Sequence, residues 1–239
     1  QDPFAKSLIK ACEQAILTFV SEDVDIKGHI DVIVNSPVQE PKAMPLEGVK
    51  CKIAVSSGKG GVGKSTVSAN LAIALSKAGY KVGLLDADIY GPSIPKMFNI
   101  EDARPVADEN GKIMPIEKYG IKILSIGFFV NPESAIVWRG AMASNAIKQL
   151  INDAAWGDLD FFLIDLPPGT SDIHLSIIGT IKLDGAVVVS TPQQVALADA
   201  IKGIDMFQND KVNVPILGLI ENMSWFTPKE LPENKYYIF

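Results

Sequence analysis

A glycine-rich segment with two lysines carries the residue types that most directly indicate chemistry. Residues 58–65 read Gly-Lys-Gly-Gly-Val-Gly-Lys-Ser, which matches the phosphate-loop pattern G-x-x-x-x-G-K-[S/T]. Glycines let the backbone N–H groups point inward, and the N-terminus of the following helix adds partial positive charge. We expect Lys64 to contact the β- and γ-phosphates of a nucleotide and Ser65 to ligate Mg²⁺. The residues predicted to surround the phosphates are Gly58, Lys59, Gly60, Gly61, Val62, Gly63, Lys64 and Ser65.

The second lysine of this segment, Lys59, is not needed by an ordinary phosphate loop. A lysine at the lip of the loop cannot easily fold back onto its own phosphates. Two interpretations stay open from the residues alone: Lys59 reaches a nucleotide in a facing subunit, or it is a solvated loop residue.

Carboxylates follow two of the predicted strands. Asp86 and Asp88 come directly after the strand over 82–85, and Asp165 follows the strand over 161–164. Ligands of doubly wound sheets bind outside the carboxyl ends of the strands. We therefore expect Asp165 to hold Mg²⁺, through water, and Asp86 or Asp88 to orient the attacking water. The competing interpretation is that these side chains only cap the helices that follow.

Adenine is the favoured base, because the chain lacks the Asn-Lys-x-Asp motif that guanine-specific phosphate-loop proteins share. Asn222 follows the strand over 216–220, and its amide could pair with the base. Pro192, within Thr191–Gln193, could form the other wall. In the segment after Asp165, Gly169 is a candidate γ-phosphate contact, and Asp172 is predicted to cap the helix over 173–181.

The elements that must position these residues follow from periodicity. Strand patterns alternate with helix patterns after residue 48, which predicts an α/β fold with a doubly wound, mostly parallel sheet. Residues 1–35 carry an amphipathic helix over 5–20 and an alternating strand over 24–34, the end of a small α/β domain. Residues 36–48 contain three prolines and read as a linker. We expect residues 49–239 to be one nucleotide-binding domain that is truncated at its C-terminus.
The strands predicted after residue 48 are 53–56, 82–85, 121–126, 161–164, 186–189 and 216–220, and the helices are 64–78, 142–153, 173–181 and 195–207.

Composition excludes several classes of protein. Hydrophobic residues make up 47% and charged residues 21% of the 239 residues, which is typical of a packed globule and excludes a disordered chain. The net charge of −6 argues against non-specific binding to nucleic acid, and no apolar run is long enough for a membrane span. Two cysteines make no disulfide framework, so we expect a cytoplasmic protein without nucleic-acid or membrane partners.

Several motifs together resemble a known family. Residues 58–66, ending in Thr66, look like the deviant Walker A motif of the MinD/ParA-like ATPases. The segments that resemble the Mrp/ApbC family more narrowly are 86–93 (Asp-Ala-Asp-Ile-Tyr-Gly-Pro-Ser), 138–140 (Trp-Arg-Gly), 165–172 (Asp-Leu-Pro-Pro-Gly-Thr-Ser-Asp) and 221–224 (Glu-Asn-Met-Ser). The first 35 residues resemble the end of the MIP18-like domain that often precedes this ATPase.

The resemblance implies an ATP-hydrolysing homodimer that carries iron–sulfur clusters between donor and recipient proteins. It implies that Lys59 contacts nucleotide across the dimer, that Asp88 helps to activate water, and that Asp165 lies at Mg²⁺. Family members often carry Cys-x-x-Cys after the Asn-Met-Ser segment, whereas residues 225–230 here contain no cysteine. The resemblance therefore specifies no cluster ligands. The alternative is a MinD/ParA-like positioning or scaffold protein that binds no cluster.

Overall fold

The computed structural model describes residues 5–20, 23, 25–26, 45–129 and 140–237. The chain divides into two compact units, Gln1–Ala43 and Met44–Phe239. In the first unit, helix α1 (Ala5–Phe19) confirms the predicted amphipathic helix. The strand predicted over 24–34 lies almost entirely outside the described residues, and the boundaries 1–35, 36–48 and 49–239 stay predictions.

The second unit is built on a seven-stranded sheet whose order is β3-β4-β2-β5-β1-β6-β7. Every neighbouring pair is parallel except β3 with β4, so the predicted mostly parallel sheet is confirmed. The strands are β1 (Val49–Ser56), β2 (Val82–Asp86), β3 (Ile116–Lys118), β4 (Ile121–Ser125), β5 (Leu159–Asp165), β6 (Gly185–Ser190) and β7 (Ile216–Glu221).

Helices connect the parallel strands, as right-handed crossovers require. They are α2 (Lys64–Lys77), α3 (Ile94–Met97), α4 (Gly140–Asn152), α5 (Asp172–Ile178) and α6 (Gln194–Gln208). A 3₁₀ turn spans Ile126–Phe128, and a short hairpin of β8 (Trp225–Phe226) and β9 (Tyr236–Tyr237) lies after β7. The sequence patterns did not predict α3, β3 or this hairpin.

The central strands are buried on both faces, which explains why they are continuous apolar runs. Leu84 packs in a cluster with residues of α2 and α3, whereas its neighbour Leu85 packs in a second cluster with residues of α4 and α5. Both leucines are fully buried. Removing such a side chain from water contributes about 1.5–3 kcal/mol, so these layers fix β2 firmly in the middle of the sheet.

Register then determines what meets at the carboxyl edge of the sheet. Asp86, the last residue of β2, pairs with Asp165, the last residue of β5. Val55 of β1 pairs with Asp165 as well, so the segment that follows β1 emerges beside both carboxylates. The phosphate loop and the two acidic strand ends are therefore brought together by strand pairing alone.

Candidate nucleotide-binding site

A cleft of about 250 Å³ lies at this carboxyl edge. The phosphate loop forms one wall, and the segments after β2 and β5 form the others. The cleft is lined by Ser57, Gly60, Gly61, Gly63, Lys64, Ser65, Thr66, Asp88, Gly91, Ser93, Met97 and Pro168. Most of the predicted phosphate-binding residues thus line one cavity.

Three predicted residues of the loop do not line the cleft. Gly58 packs against helix α6, where a Cβ atom would overlap the backbone of Asp199. Val62 is buried in a small apolar cluster with Val55 and Val189. Lys59 is exposed, and its carbonyl accepts a hydrogen bond from the Ser57 hydroxyl at 2.9 Å. These residues hold or flank the loop, and their predicted contacts with nucleotide stay predictions.

Two glycines give the loop its curvature. Gly61 and Gly63 have φ values of 81° and 87°, in the left-handed region that favours glycine. Gly63 is the residue before α2, so the free N–H groups at that helix N-terminus face the cleft. This geometry fits an anionic phosphate group.

Lys64 is the charged centre of the site. Its side chain is 6% exposed, and its Nζ lies 2.8 Å from Asp165 Oδ1 and 4.0 Å from Asp88 Oδ2. It also donates to the Ser65 hydroxyl at 3.2 Å. A buried ammonium between two carboxylates is well placed to turn toward a phosphate that enters the cleft.

Asp165 is fully buried and accepts hydrogen bonds from two serine hydroxyl groups near the start of α2. Ser65 Oγ donates to its Oδ2 and Ser68 Oγ donates to its Oδ1, each at 2.6 Å. Sequence reasoning missed Ser68, although a residue four positions after Lys64 lies on the same helix face. The predicted pair of Ser65 and Asp165 is therefore brought together, with Asp165 behind the hydroxyl.

Asp86 and Asp88 have different surroundings, which separates their roles. Asp86 is fully buried and accepts hydrogen bonds from the backbone N–H groups of Asp88 and Ile94 and from the Ser125 hydroxyl. Burial, followed by repulsion from Asp165, raises the pKa of Asp86 to about 7. Asp86 does not line the cleft, so it serves to order the segment after β2.

Asp88, in contrast, lines the cleft and is 8% exposed. Burial raises its pKa, and the nearby Lys64 opposes that shift. Its Oδ1 accepts from the Gly91 N–H at 3.2 Å. Of the two aspartates that the sequence left as alternatives, Asp88 is the one that faces the cavity.

The donor set fits a divalent cation. The carboxylates of Asp88 and Asp165 both lie within 4.0 Å of the Lys64 ammonium, so two carboxylates face one lysine beside the Ser65 hydroxyl. Across the described ranges, no three His, Cys, Asp or Glu side chains converge as ligands of a metal ion. Magnesium needs no such cage, because it is usually held by one or two protein oxygens, water and substrate phosphates.

Asn222 braces the phosphate loop from behind. Its backbone N–H donates to Ser190 O at 2.8 Å, and its Nδ2 donates to Val62 O at 2.9 Å. One of the two Nδ2 hydrogens is therefore engaged, which leaves the other hydrogen and Oδ1 for the predicted contact with a base. Pro192 is exposed in the turn after β6, and the neighbouring Thr191 hydroxyl is buried without a hydrogen-bond partner in the described part of the chain.

The N-cap of helix α5 differs from the prediction. The predicted cap of α5 was Asp172, but the helix includes Asp172, and the N-cap residue is Ser171. The third residue of the helix, His174, is fully buried and contacts both Ser171 and Pro167. Burial lowers the pKa of His174, and the charge of Lys64 lowers it further. His174 is isolated in the sequence from other metal-ligating or catalytic residue types, so no role was predicted for it.

Comparison with known proteins decides the family. The family model described as ParA, NUBPL iron-transfer P-loop NTPase, matches residues 48–239. The chain belongs to this family. The Mrp/ApbC and MinD/ParA-like resemblance is thereby confirmed.

A protein of Aquifex aeolicus named "Iron-sulfur cluster carrier protein" is 54% identical over 205 residues, which is 85% of this chain and 55% of that protein. The chain spans about half the length of several curated relatives that it matches.

Two solved structures share the fold. An ADP complex of a nucleotide-binding protein from Archaeoglobus fulgidus is 40% identical, with a TM-score of 0.71, covering 82% of this chain and 75% of that one. The Mg-ADP complex of the septum site-determining protein MinD from Pyrococcus horikoshii is 28% identical, with a TM-score of 0.57, covering 73% of this chain and 70% of that one. The phosphate-loop NTPase fold is therefore shown for this chain.

Within the described helices, none is both long and apolar enough to cross a membrane. Cytoplasmic location stays a prediction.

Proposed function

We propose that this chain is an ATP-binding and ATP-hydrolysing carrier of iron–sulfur clusters. The observation that carries the catalytic half is the buried Lys64, held between Asp165 and Asp88 at the phosphate loop. The cargo half is supported by membership of the iron-transfer family and by the name of the Aquifex relative. The proposed function includes a homodimer and proteins that donate clusters to it or receive clusters from it.

The phosphate loop would bind the β- and γ-phosphates through the backbone N–H groups at the start of α2. Lys64 would leave part of its contact with Asp165 and turn to the phosphates. Ser65 would ligate Mg²⁺, and Asp165 would hold the same ion through water. When bound, the metal ion supplies charge neutralisation on the phosphate oxygens.

Hydrolysis requires a water molecule in line with the γ-phosphorus. Asp88 lines the cleft, and its carboxylate would orient that water. The water oxygen bonds to the γ-phosphorus while the bond to the β–γ bridging oxygen breaks, which gives ADP and inorganic phosphate. Lys59, exposed at the lip, would act on the nucleotide of a second copy.

The adenine base would lie near Asn222 and Pro192. Asn222 supports this because its side-chain amide lies against the phosphate loop at Val62 O, and Thr191 because its buried hydroxyl lacks a partner in the described ranges. Thr191 follows β6 and Asn222 follows β7, the two strands on the far side of β1 in the sheet.

The cluster is the cargo, and its ligands are not among the predicted site residues. The chain has two cysteines, Cys12, which is exposed, and Cys51, which is partly buried on β1. Burial raises the pKa of Cys51, which disfavours the thiolate that binds iron. Cys12 is the more accessible candidate.

Phosphate release from Mg-ATP tests the catalytic half. We expect the wild-type protein to hydrolyse ATP slowly and Lys64→Ala to lose nucleotide affinity and turnover by at least about a hundredfold. The matched control is Lys202→Ala, because Lys202 is an exposed lysine paired with Asp199 on α6. Equal turnover in Lys64→Ala and in the control would contradict the proposed site.

A second candidate function is a nucleotide-driven positioning switch without cargo. The likeness to the MinD structure supports it. The two functions share the cleft and differ in bound iron, so iron analysis separates them.

A further inference from the structure

His174 lies beneath the loop that connects β5 to α5, and both of its ring nitrogens are engaged. Nδ1 is 3.1 Å from the backbone nitrogen of Ser171, and Nε2 is 3.0 Å from the carbonyl oxygen of Pro167. A backbone N–H can only donate, so Nδ1 accepts and Nε2 carries the proton that is donated to Pro167. One neutral ring thus holds both ends of the loop 167–171.

The loop between these two contacts reaches the nucleotide cleft. Pro168 lines the cleft and lies beside Gly60 of the phosphate loop. Gly169 has a φ of 86°, and its N–H donates to Ser57 O at 2.8 Å. Any movement of Pro168 or Gly169 toward a γ-phosphate therefore pulls on a segment that His174 anchors at each end.

Helix α5 is the element on the other side of the ring. His174 is its third residue, and Ile173 and Ile177 are buried in the same cluster as residues of α4. The imidazole ring is fully buried and helix α5 is packed. The ring therefore cannot move away from the loop without disturbing α5. The contact can therefore transmit displacement from the loop to the helix.

We propose that His174 is a positioning residue that couples the nucleotide-facing loop 167–171 to helix α5. The inference rests on the proposed ATPase function and names the residue through which that site would reach the rest of the domain. His174 does not touch the cleft, so it acts through Pro167 and Ser171 and not on the phosphate.

Three substitutions separate this coupling from a merely structural role. His174→Leu keeps apolar bulk and loses both hydrogen bonds. His174→Asn has a short amide that can still accept from the Ser171 N–H, so the helix start is kept while the bond to Pro167 is lost. His174→Gln is long enough to accept from Ser171 and to donate to Pro167, and it should restore the coupling.

The experiment measures hydrogen exchange over residues 166–178 together with turnover and nucleotide affinity. In the wild type we expect protection of both the loop and α5 to differ between Mg-ADP and a non-hydrolysable Mg-ATP analogue. In His174→Asn we expect normal α5 protection without nucleotide, no nucleotide-dependent change in α5, and turnover reduced by roughly ten- to a hundredfold with nucleotide affinity within about twofold. His174→Gln should recover the nucleotide-dependent change.

Two results would overturn the proposal. One is a His174→Asn protein whose turnover and nucleotide-dependent protection equal those of the wild type. The other is a wild type that hydrolyses ATP while α5 shows no nucleotide-dependent change. Failure of the proposed function looks different, since the wild type would then release no phosphate. The anchoring of loop 167–171 by His174 would in that case still be tested without nucleotide. There, the loop in His174→Asn must exchange faster than in the wild type, whereas α5 must not.

Discussion

Lys64 forms ion pairs with two carboxylates, and this arrangement holds its ammonium at the position where a phosphate would bind. Its Nζ lies 2.8 Å from Asp165, which is fully buried, and 4.0 Å from Asp88, which borders the cleft. The shorter contact holds the lysine in place without a ligand. The longer one leaves Asp88 free to accept a hydrogen bond from water. The division of roles between Asp165 and Asp88 follows from these two distances.

Replacing Asp88 by Asn should slow hydrolysis and leave nucleotide binding largely intact. The amide keeps the size of the side chain but orients water poorly, so we expect turnover to fall by about 10²–10⁴-fold with nucleotide affinity changed only a few-fold. Single-turnover phosphate release and calorimetric titration measure the two quantities. Glu101→Gln, at an exposed carboxylate, is the control. A large loss of affinity would instead make Asp88 a structural residue or a metal ligand.

Asp86 gives the nucleotide-free protein a pH-dependent stability. The native state raises its pKa from 3.8 to about 7, so the folded protein holds this proton more tightly than the unfolded chain does. Stability contributed by Asp86 therefore falls as the pH rises from about 4 to about 7, by roughly 4 kcal/mol in all.

Urea unfolding at pH 5 and pH 8, without nucleotide or Mg²⁺, compares the wild type with Asp86→Asn. The difference in free energy of unfolding between the two proteins should shift in favour of Asp86→Asn at pH 8. An identical pH dependence in both proteins would contradict the assignment.

Residue types and spacing predicted most of the site and missed its supports. Lys64, Ser65, Asp88 and Asp165 were predicted because a loop motif and strand ends are local signals. Ser125, which donates to Asp86, lies 39 positions away and is brought there only by the pairing of β2 with β4. No local pattern encodes that neighbour, so tertiary structure was needed to find it.

At the scale of elements, the phosphate loop is wedged between α6 on one side and the segment after β7 on the other. A Cβ atom on Gly58 would overlap the backbone of Asp199 in α6, and a Cβ atom on Gly63 would overlap the side-chain amide of Asn222. The loop therefore keeps its shape through close packing as well as through its own φ angles.

Gly63→Ala should weaken nucleotide binding more than backbone strain alone explains. Gly79 is the matched control, because its φ of 92° imposes similar strain while nothing lies within 4 Å of an added Cβ atom. We expect Gly79→Ala to lower the free energy of unfolding by about 1–2 kcal/mol without changing nucleotide affinity. Gly63→Ala should lower the free energy of unfolding by a comparable amount. It should also lose at least tenfold in nucleotide affinity, since Asn222 must move. Titration with Mg-ADP measures the affinity, and equal affinities in the two variants would show that the contact with Asn222 does not matter.

The long elements were predictable and the short ones were not. Helix α2 has a helical periodicity and strand β5 a continuous apolar run, and their observed bounds differ from the prediction by one or two residues. Helix α3 has four residues and β3 has three, too few to repeat a pattern. The cap of α5 was placed one residue late because Ser171 and Asp172 are both good cap residues. The hydrogen bond from the Ser171 backbone N–H to the His174 ring favours Ser171.

At the scale of the whole molecule, an exposed Lys59 at the lip of the loop predicts that turnover depends on association. We expect a non-hydrolysable Mg-ATP analogue to convert the protein to a dimer, as measured by light scattering. Lys59→Ala should bind nucleotide normally, stay monomeric, and lose on the order of a hundredfold or more in turnover, as loss of a cation supplied in trans does in other phosphate-loop enzymes. The matched control is Lys77→Ala, another exposed lysine of the same unit. Nucleotide-dependent dimerisation of Lys59→Ala with full turnover would make this lysine a solvated loop residue.

Carriage of a cluster is the central claim, and bound iron tests it most directly. The measurement is iron and acid-labile sulfide per subunit, with the visible spectrum, after anaerobic reconstitution of the protein. We predict a chromophore with stoichiometric iron. Loss of that chromophore in Cys12→Ser or in Cys51→Ser would identify the replaced thiol as a ligand. A protein that hydrolyses ATP yet binds neither iron nor sulfide would contradict the carrier function and leave a nucleotide-driven switch that acts on a partner.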